Sequence, residues 1–143
     1  MLFLSCKNSN NKVNTVKDER PLSEKVVGSW IDRVVSEKGL VTELTDSFSA
    51  DGVFVRNLLI YDFVSDKQYK KGTERGTYSL GYIDQDLNIN ENNICLTILE
   101  RDMDGRKEDT YNEYVIKILK ITDKELICED CENGKHHTYK RKD

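Results

Sequence analysis

The stretch Leu126-Ile-Cys-Glu-Asp-Cys131-Glu-Asn-Gly134-Lys-His-His-Thr-Tyr139-Lys-Arg141 decides how the rest of the chain reads. Two β-prone runs flank Asn133-Gly134, a dipeptide that tolerates positive φ at the corner of a tight hairpin. A two-residue loop there pairs Glu132 with Lys135, Cys131 with His136, Asp130 with His137, Cys128 with Tyr139 and Leu126 with Arg141. Side chains alternate across a strand, so Leu126, Cys128, Tyr139 and Arg141 fall on one face. Glu129, Cys131, His136, Thr138 and Lys140 fall on the other, a face suited to water. The alternation that buries Tyr139 therefore carries the cation Arg141 inward as well.

The same pattern extends back to Gly28. Candidate strands cover 29–36, 41–49, 53–64, 74–81, 86–90, 93–101, 110–121, 125–131 and 135–141, each carrying Val, Ile, Thr, Tyr or Phe between turn residues. Asp51-Gly52 and Asp104-Gly105 supply two further corners. Only Pro21-Leu-Ser-Glu-Lys-Val-Val27 has the look of a helix start, enough for one short turn. Short strands at regular spacing, joined by tight turns, predict an all-β fold: an antiparallel up-and-down barrel of about eight to nine strands. A chain of 143 residues supports a single core.

Composition narrows the function. Charged residues make up 34% of the chain and the apolar set 37%, so the core is lean. A formal net charge of −4 argues against a nucleic-acid binder, which needs a basic stripe to neutralise phosphates. Lys67, Lys70, Lys71 and Arg75 form a basic run, but Asp66 and Glu74 interrupt it, and a solvated loop or edge strand accounts for it. No apolar run is long enough for a membrane-spanning helix.

Six short pieces occur in an order that resembles the small bacterial lipocalin-like domains, many of them lipoproteins: Gly28-Ser-Trp30, Phe48-Ser-Ala-Asp51-Gly-Val-Phe54, Gly76-Thr-Tyr78-Ser79, Leu87-Asn-Ile89, Ile121-Thr-Asp-Lys-Glu-Leu126 and Tyr139-Lys-Arg141. The resemblance spans about residues 26–141. It implies that the first-strand tryptophan, Trp30, packs at the closed end of the barrel against an arginine of the last strand, Arg141. A guanidinium over an indole contributes about 0.5–2 kcal/mol, most when desolvated.

At the N-terminus, Met1-Leu-Phe-Leu-Ser5 is apolar up to Cys6, and Lys7-Asn-Ser-Asn-Asn-Lys12 follows it. This resembles the end of a bacterial lipoprotein signal, where cleavage falls just before a cysteine that is then acylated. Phe3 stands where leucine is usual, and the short apolar run implies that the true start lies upstream. The expected organisation is a residual signal segment over 1–5, a flexible tether over 6–20 and the barrel domain over 21–143. Lipidation at Cys6 would anchor the protein to a membrane of the bacterial cell envelope, periplasmic or surface-exposed.

Catalytic and metal readings fail on geometry. Cys128, Cys131, His136 and His137 have zinc-like residue types, but Cys128 and Cys131 face opposite sides of a strand, as do His136 and His137. A disulfide between Cys128 and Cys131 fails for the same reason, whereas a Cys95–Cys131 bridge requires their strands to be adjacent. Asp102-Met-Asp104-Gly105 starts like a calcium loop, yet Arg106 follows where an oxygen ligand belongs. No serine sits in a G-x-S-x-G setting, and Glu108-Asp109 and Glu129-Asp130 alternate across strands. The expectation is a protein that is not an enzyme and carries no cofactor or metal.

Two functions remain. The first is a binding module for a small lipophilic ligand, with Phe54, Tyr78, Leu87, Ile89, Tyr114, Ile116 and Tyr139 as its candidate wall. Ordinary core packing is the competing role for each. The second is an envelope interaction or scaffold protein without a small ligand, for which residues 57–73 are the candidate surface. Leu58, Leu59, Ile60, Tyr61, Phe63 and Val64 exceed what one strand face needs.

Overall fold

Strands that bury alternate residues need a common interior, and here one sheet supplies it by closing on itself. The computed structural model describes residues 20–83 and 89–142. A single helical turn, α1 (Leu22–Lys25), leads into β1 (Gly28–Val35), β2 (Leu40–Phe48), β3 (Val53–Asp62), β4 (Gln68–Ile83), β5 (Ile89–Met103), β6 (Arg106–Ile121), β7 (Glu125–Asp130) and β8 (His136–Arg141). Each strand pairs antiparallel with the next, and β8 returns to β1, which makes a closed up-and-down barrel. Of the candidate strand at 86–90, Ile89 and Asn90 open β5, and 86–88 lie outside the described residues. The segment 1–5, Cys6, the tether as far as residue 19, and Leu87 lie outside the described residues.

The corners differ in a way that the dipeptides do not announce. Asp104 and Gly105 both take positive φ, 54° and 84°, and Met103 pairs with Arg106 in a two-residue hairpin. At Asn133-Gly134 only the glycine does so, with φ 71°. The Asp130 N–H bonds the Lys135 carbonyl at 2.8 Å, so the loop spans 131–134. The Asp130 carboxylate accepts the Glu132 N–H at 2.8 Å, and the Asn133 side-chain oxygen accepts the Lys135 N–H at 2.9 Å. These side chains hold a wider corner than the expected one. The register consequently slips by two: Leu126 faces Tyr139, and Cys128 faces His137. An even slip leaves every side chain on its own face. Leu126, Cys128 and Tyr139 are all buried.

The interior of an eight-stranded barrel is about wide enough for side chains to fill it. Trp30, Phe54, Leu96 and Ile98 are fully buried, and Phe48, Ile94, Ile118, Ile121 and Leu126 pack with them. One end is sealed. The Trp30 indole donates to the Val26 carbonyl at 2.9 Å, and the Arg141 guanidinium lies 4.2 Å from the Trp30 ring. Arg141 also donates to the carbonyls of Lys25, Val27 and Asp123 at 2.7–2.9 Å, tying α1, the start of β1 and the β6–β7 turn to β8. A Cβ on Gly28 would overlap Nη1 of Arg141, so the glycine of Gly28-Ser-Trp30 leaves room for the cation.

Gly76 is the tightest point of the wall. The β4–β5 register shifts between Arg75 and Gly76, and a Cβ at Gly76 would overlap the backbone carbonyl of Thr97. Backbone cannot swing aside as a flexible side chain can. Gly76→Ala is therefore expected to destabilise by about 2 kcal/mol, as overpacking does. Urea unfolding followed by circular dichroism checks it, and an unchanged midpoint would contradict it.

Candidate functional site

Register defines what lines the barrel. Starting at the sealed end, Arg141 faces Trp30, Trp30 faces Asp46, Asp46 faces Arg56, Arg56 faces Glu74, Glu74 faces Arg101 and Arg101 faces Glu108. Barrel strands tilt, so such a row climbs as it passes round the wall. Exposure records the climb. The side chains of Asp46, Arg56, Glu74, Arg101 and Glu108 are 4%, 20%, 18%, 30% and 58% exposed in turn, a rise from the sealed end to the mouth with a level step between Arg56 and Glu74. Beyond Trp30 the row alternates in sign, and its members pair. Arg56 holds Asp46 through two bonds of 2.8 and 2.9 Å, and Arg101 donates Nε and Nη2 to one oxygen of Glu74 at 3.2 and 2.8 Å.

Burial opposes the Arg56 cation, but the charge of the neighbouring Asp46 outweighs that cost, and the pKa of Arg56 is raised. Burial raises the Tyr139 hydroxyl, and the charge of Asp46 adds to it. The same two causes push Cys128 up to about 12, so its thiol stays protonated and is no nucleophile at neutral pH.

A second row lies nearer the open end and is apolar: Leu44 faces Leu58, Leu58 faces Gly72 and Gly72 faces Met103. Gly72 makes room for Met103, whose sulfur occupies the space a Cβ would take. Between the two rows lies a cleft of about 340 Å³, lined by Leu44, Leu58 and Met103 above Arg56, Glu74 and Arg101, with Gly72 and Tyr114 completing it. Its volume is at the lower end of the range for small-molecule sites, and its apolar collar over a few polar groups is their usual make-up. A wider groove of about 690 Å³, among them Arg75, Glu100, Asp102, Lys107 and Asp109, has no apolar wall and suits a ligand less.

The shortest pairing in the barrel joins β1 and β8, strands that contribute nothing to the cleft lining. β1 and β8 pair only through Trp30 with Arg141 and Ile31 with Lys140. Above that point Asp32 and His137 approach to 3.9 Å, and Val34 is 57% exposed.

Of the residues singled out from sequence as a ligand wall, Tyr114 lines the cleft. Phe54 and Tyr139 are buried in the packed core, and Ile116 is half-buried against it. Tyr78 sits toward the sealed end, its hydroxyl on the Ser49 carbonyl at 2.6 Å and its ring edge-on to Phe48. Ile89 contributes backbone to β5 opposite Ile83. Leu87 lies outside the described residues. Cys95 and Cys128 are free thiols, so a Cys95–Cys131 bridge does not form. His136 contacts Glu129 at 3.2 Å while His137 turns toward Asp32. Among the described residues, His, Cys, Asp and Glu form no group of three able to hold a metal.

Asp46, Arg56, Glu74 and Arg101 were not legible as a group from local sequence. A signal does exist: Leu44-x-Asp46-x-Phe48 and Phe54-x-Arg56-x-Leu58 each set one charge, of opposite sign, inside an apolar alternation. Comparison of the chain with protein-family models and with curated proteins finds no match.

Proposed function

We propose that this chain is an envelope-tethered, lipocalin-like lipoprotein that binds one small lipophilic ligand at the mouth of its barrel. The observation that supports binding is the cleft between the Leu44–Leu58–Met103 collar and the Arg56–Glu74–Arg101 floor, at the opposite end from the Trp30–Arg141 seal. A molecule that fits is apolar along most of its length and carries one hydrogen-bonding end for the floor. The packed core below leaves the ligand at the mouth rather than deep inside. The tether rests on Cys6 and its flanking sequence.

Organic extraction of the purified chain followed by mass spectrometry, together with thermal shifts against fatty acids and other lipophiles, tests the binding. A ligand at a hundredfold excess over its Kd is expected to raise Tm by about 8 °C. Gly72→Leu, which fills the cleft, is expected to abolish the shift. If nothing extracts and no lipophile shifts Tm, or if Gly72→Leu responds like the parent, the cleft is not a ligand site. Cys6→Ser tests the tether separately: unchanged membrane fractionation would remove it.

A further inference from the structure

We propose that the rim built by the β1–β2 and β3–β4 turns docks on an anionic lipid surface, with Phe63 and Val64 entering the headgroup layer. The inference goes beyond ligand binding and needs neither the cleft nor an acylated Cys6.

Phe63 is 57% exposed and Val64 89%, both at the tip of the β3–β4 turn beside the barrel mouth. The Phe63 N–H donates to the Gly39 carbonyl at 2.8 Å, which locks the two turns side by side. Val35 and Leu40 extend the apolar area from the neighbouring turn, and Tyr69 borders it on β4. The tip is held outward by design of its backbone. The Asp62 carboxylate accepts the N–H groups of Val64 and Ser65 at 2.9 Å, and the Asp66 N–H closes on the Asp62 carbonyl at 2.9 Å. Large apolar side chains presented this way on so charged a protein mark a contact surface.

Charge selects the occupant. Lys38 and Lys67 on these two turns, with Lys70 and Lys71 at the start of β4, are exposed and outnumber Glu37, Asp62 and Asp66. The local excess runs against a chain whose net charge is −4. The other turns at the mouth lean the other way: Asp102, Asp104, Glu108 and Asp109 outnumber Arg106 and Lys107 around β5–β6, and Asp130 and Glu132 outnumber Lys135 at β7–β8. An anionic surface therefore attracts one side of the mouth and repels the other, which sets an orientation. Lys67 lies 5.3 Å from the Tyr69 ring and Arg33 5.9 Å from that of Phe63, so cations flank the apolar tip. Apolar groups that enter the acyl boundary while lysines reach phosphates are how monotopic surfaces hold a bilayer.

Co-sedimentation of the full-length, unacylated chain with vesicles tests this, using phosphatidylcholine alone and a 3:1 mixture with phosphatidylglycerol at about 0.1 M salt, near the ionic strength where screening is moderate. Binding to the anionic vesicles is expected, together with a loss of about tenfold or more for Lys67→Glu/Lys70→Glu and for Phe63→Ser/Val64→Ser. Both variants alter exposed side chains, so their Tm should match the parent. Absent binding to the anionic vesicles, equal binding to neutral ones, or parental binding by either variant overturns the proposal. So does a concentration-dependent dimer that Phe63→Ser/Val64→Ser abolishes, which would assign the rim to a second copy of the chain. A failed ligand response, read by Tm with Gly72→Leu as control, leaves the docking result unaffected.

Discussion

Trp30→Ala is expected to lower the free energy of unfolding by about 4 kcal/mol, the usual cost of truncating a large aromatic in a core. The indole is fully buried and plugs one end of the barrel, so its removal opens a cavity that neighbours on eight hydrogen-bonded strands cannot easily collapse into. Two polar consequences add to the cavity. The Val26 carbonyl loses its 2.9 Å partner, and Arg141 loses the ring beneath it. Arg141 keeps its bonds to the Lys25, Val27 and Asp123 carbonyls, so α1 stays attached and the loss is one of stability rather than topology. Because a domain's whole stability is about 5–15 kcal/mol, the variant should be folded but marginal. The chain has one tryptophan, which the substitution removes, so the midpoint must be followed by circular dichroism in urea. A loss below about 1 kcal/mol, well under the range for such truncations, would mean that the indole does not seal the barrel.

What could be read from sequence was what period two protects. The 126–141 hairpin shows this. Its predicted partners were displaced by two residues, since Asp130 and Asn133 hold a four-residue corner, yet Leu126, Cys128 and Tyr139 still face the core. Errors of register by an even number cost nothing in the assignment of faces. A closed barrel of about eight to nine strands followed from the same alternation and the tight turns, whereas the juxtaposition of Trp30 and Arg141 came from the family resemblance, with which the inward face of Arg141 agreed. The cleft was harder. Tyr114 carries the aromatic signature of a ligand wall, but so do Phe54 and Tyr139, and only the climb of the strands decides which lies at the mouth and which in the core. The charged row was harder still. A lone Asp46 or Arg56 on a strand looks solvated until its cross-strand neighbour is known, and that neighbour is fixed by turns far along the chain. Residues 57–73, read as surplus apolar surface, divide on inspection: Leu58 lines the cleft, Tyr61 bonds Glu43 on the wall, and Phe63 and Val64 project from the tip.

Arg56→Ala should cost about 4 kcal/mol, an effect as large as that of the tryptophan and of a different origin. Asp46 is 3% exposed, and the guanidinium of Arg56 is the partner that grips both of its carboxylate oxygens. Without the cation, the carboxylate is left buried among Trp30, Cys128 and Tyr139, where water cannot reach it readily. Arg56 also lies 5.5 Å from the Phe54 ring, so packing is lost with the charge. The claim separates from simple truncation through its partner. In the double variant Asp46→Leu/Arg56→Met, both charges are replaced by apolar groups of similar length, and stability should return to within about 1 kcal/mol of the parent, because a buried pair is worth little net although breaking it is costly. A double-mutant cycle in urea reads the coupling directly. If Arg56→Met alone, which fills the space but leaves Asp46 without its cation, is as stable as the double variant, cavity formation in Arg56→Ala rather than the stranded carboxylate is responsible. The stable double variant then serves a second purpose, since it keeps the Leu44, Leu58 and Met103 collar while removing one cation from the floor. A ligand held by its polar end would lose affinity there, and one held by apolar contact alone would not.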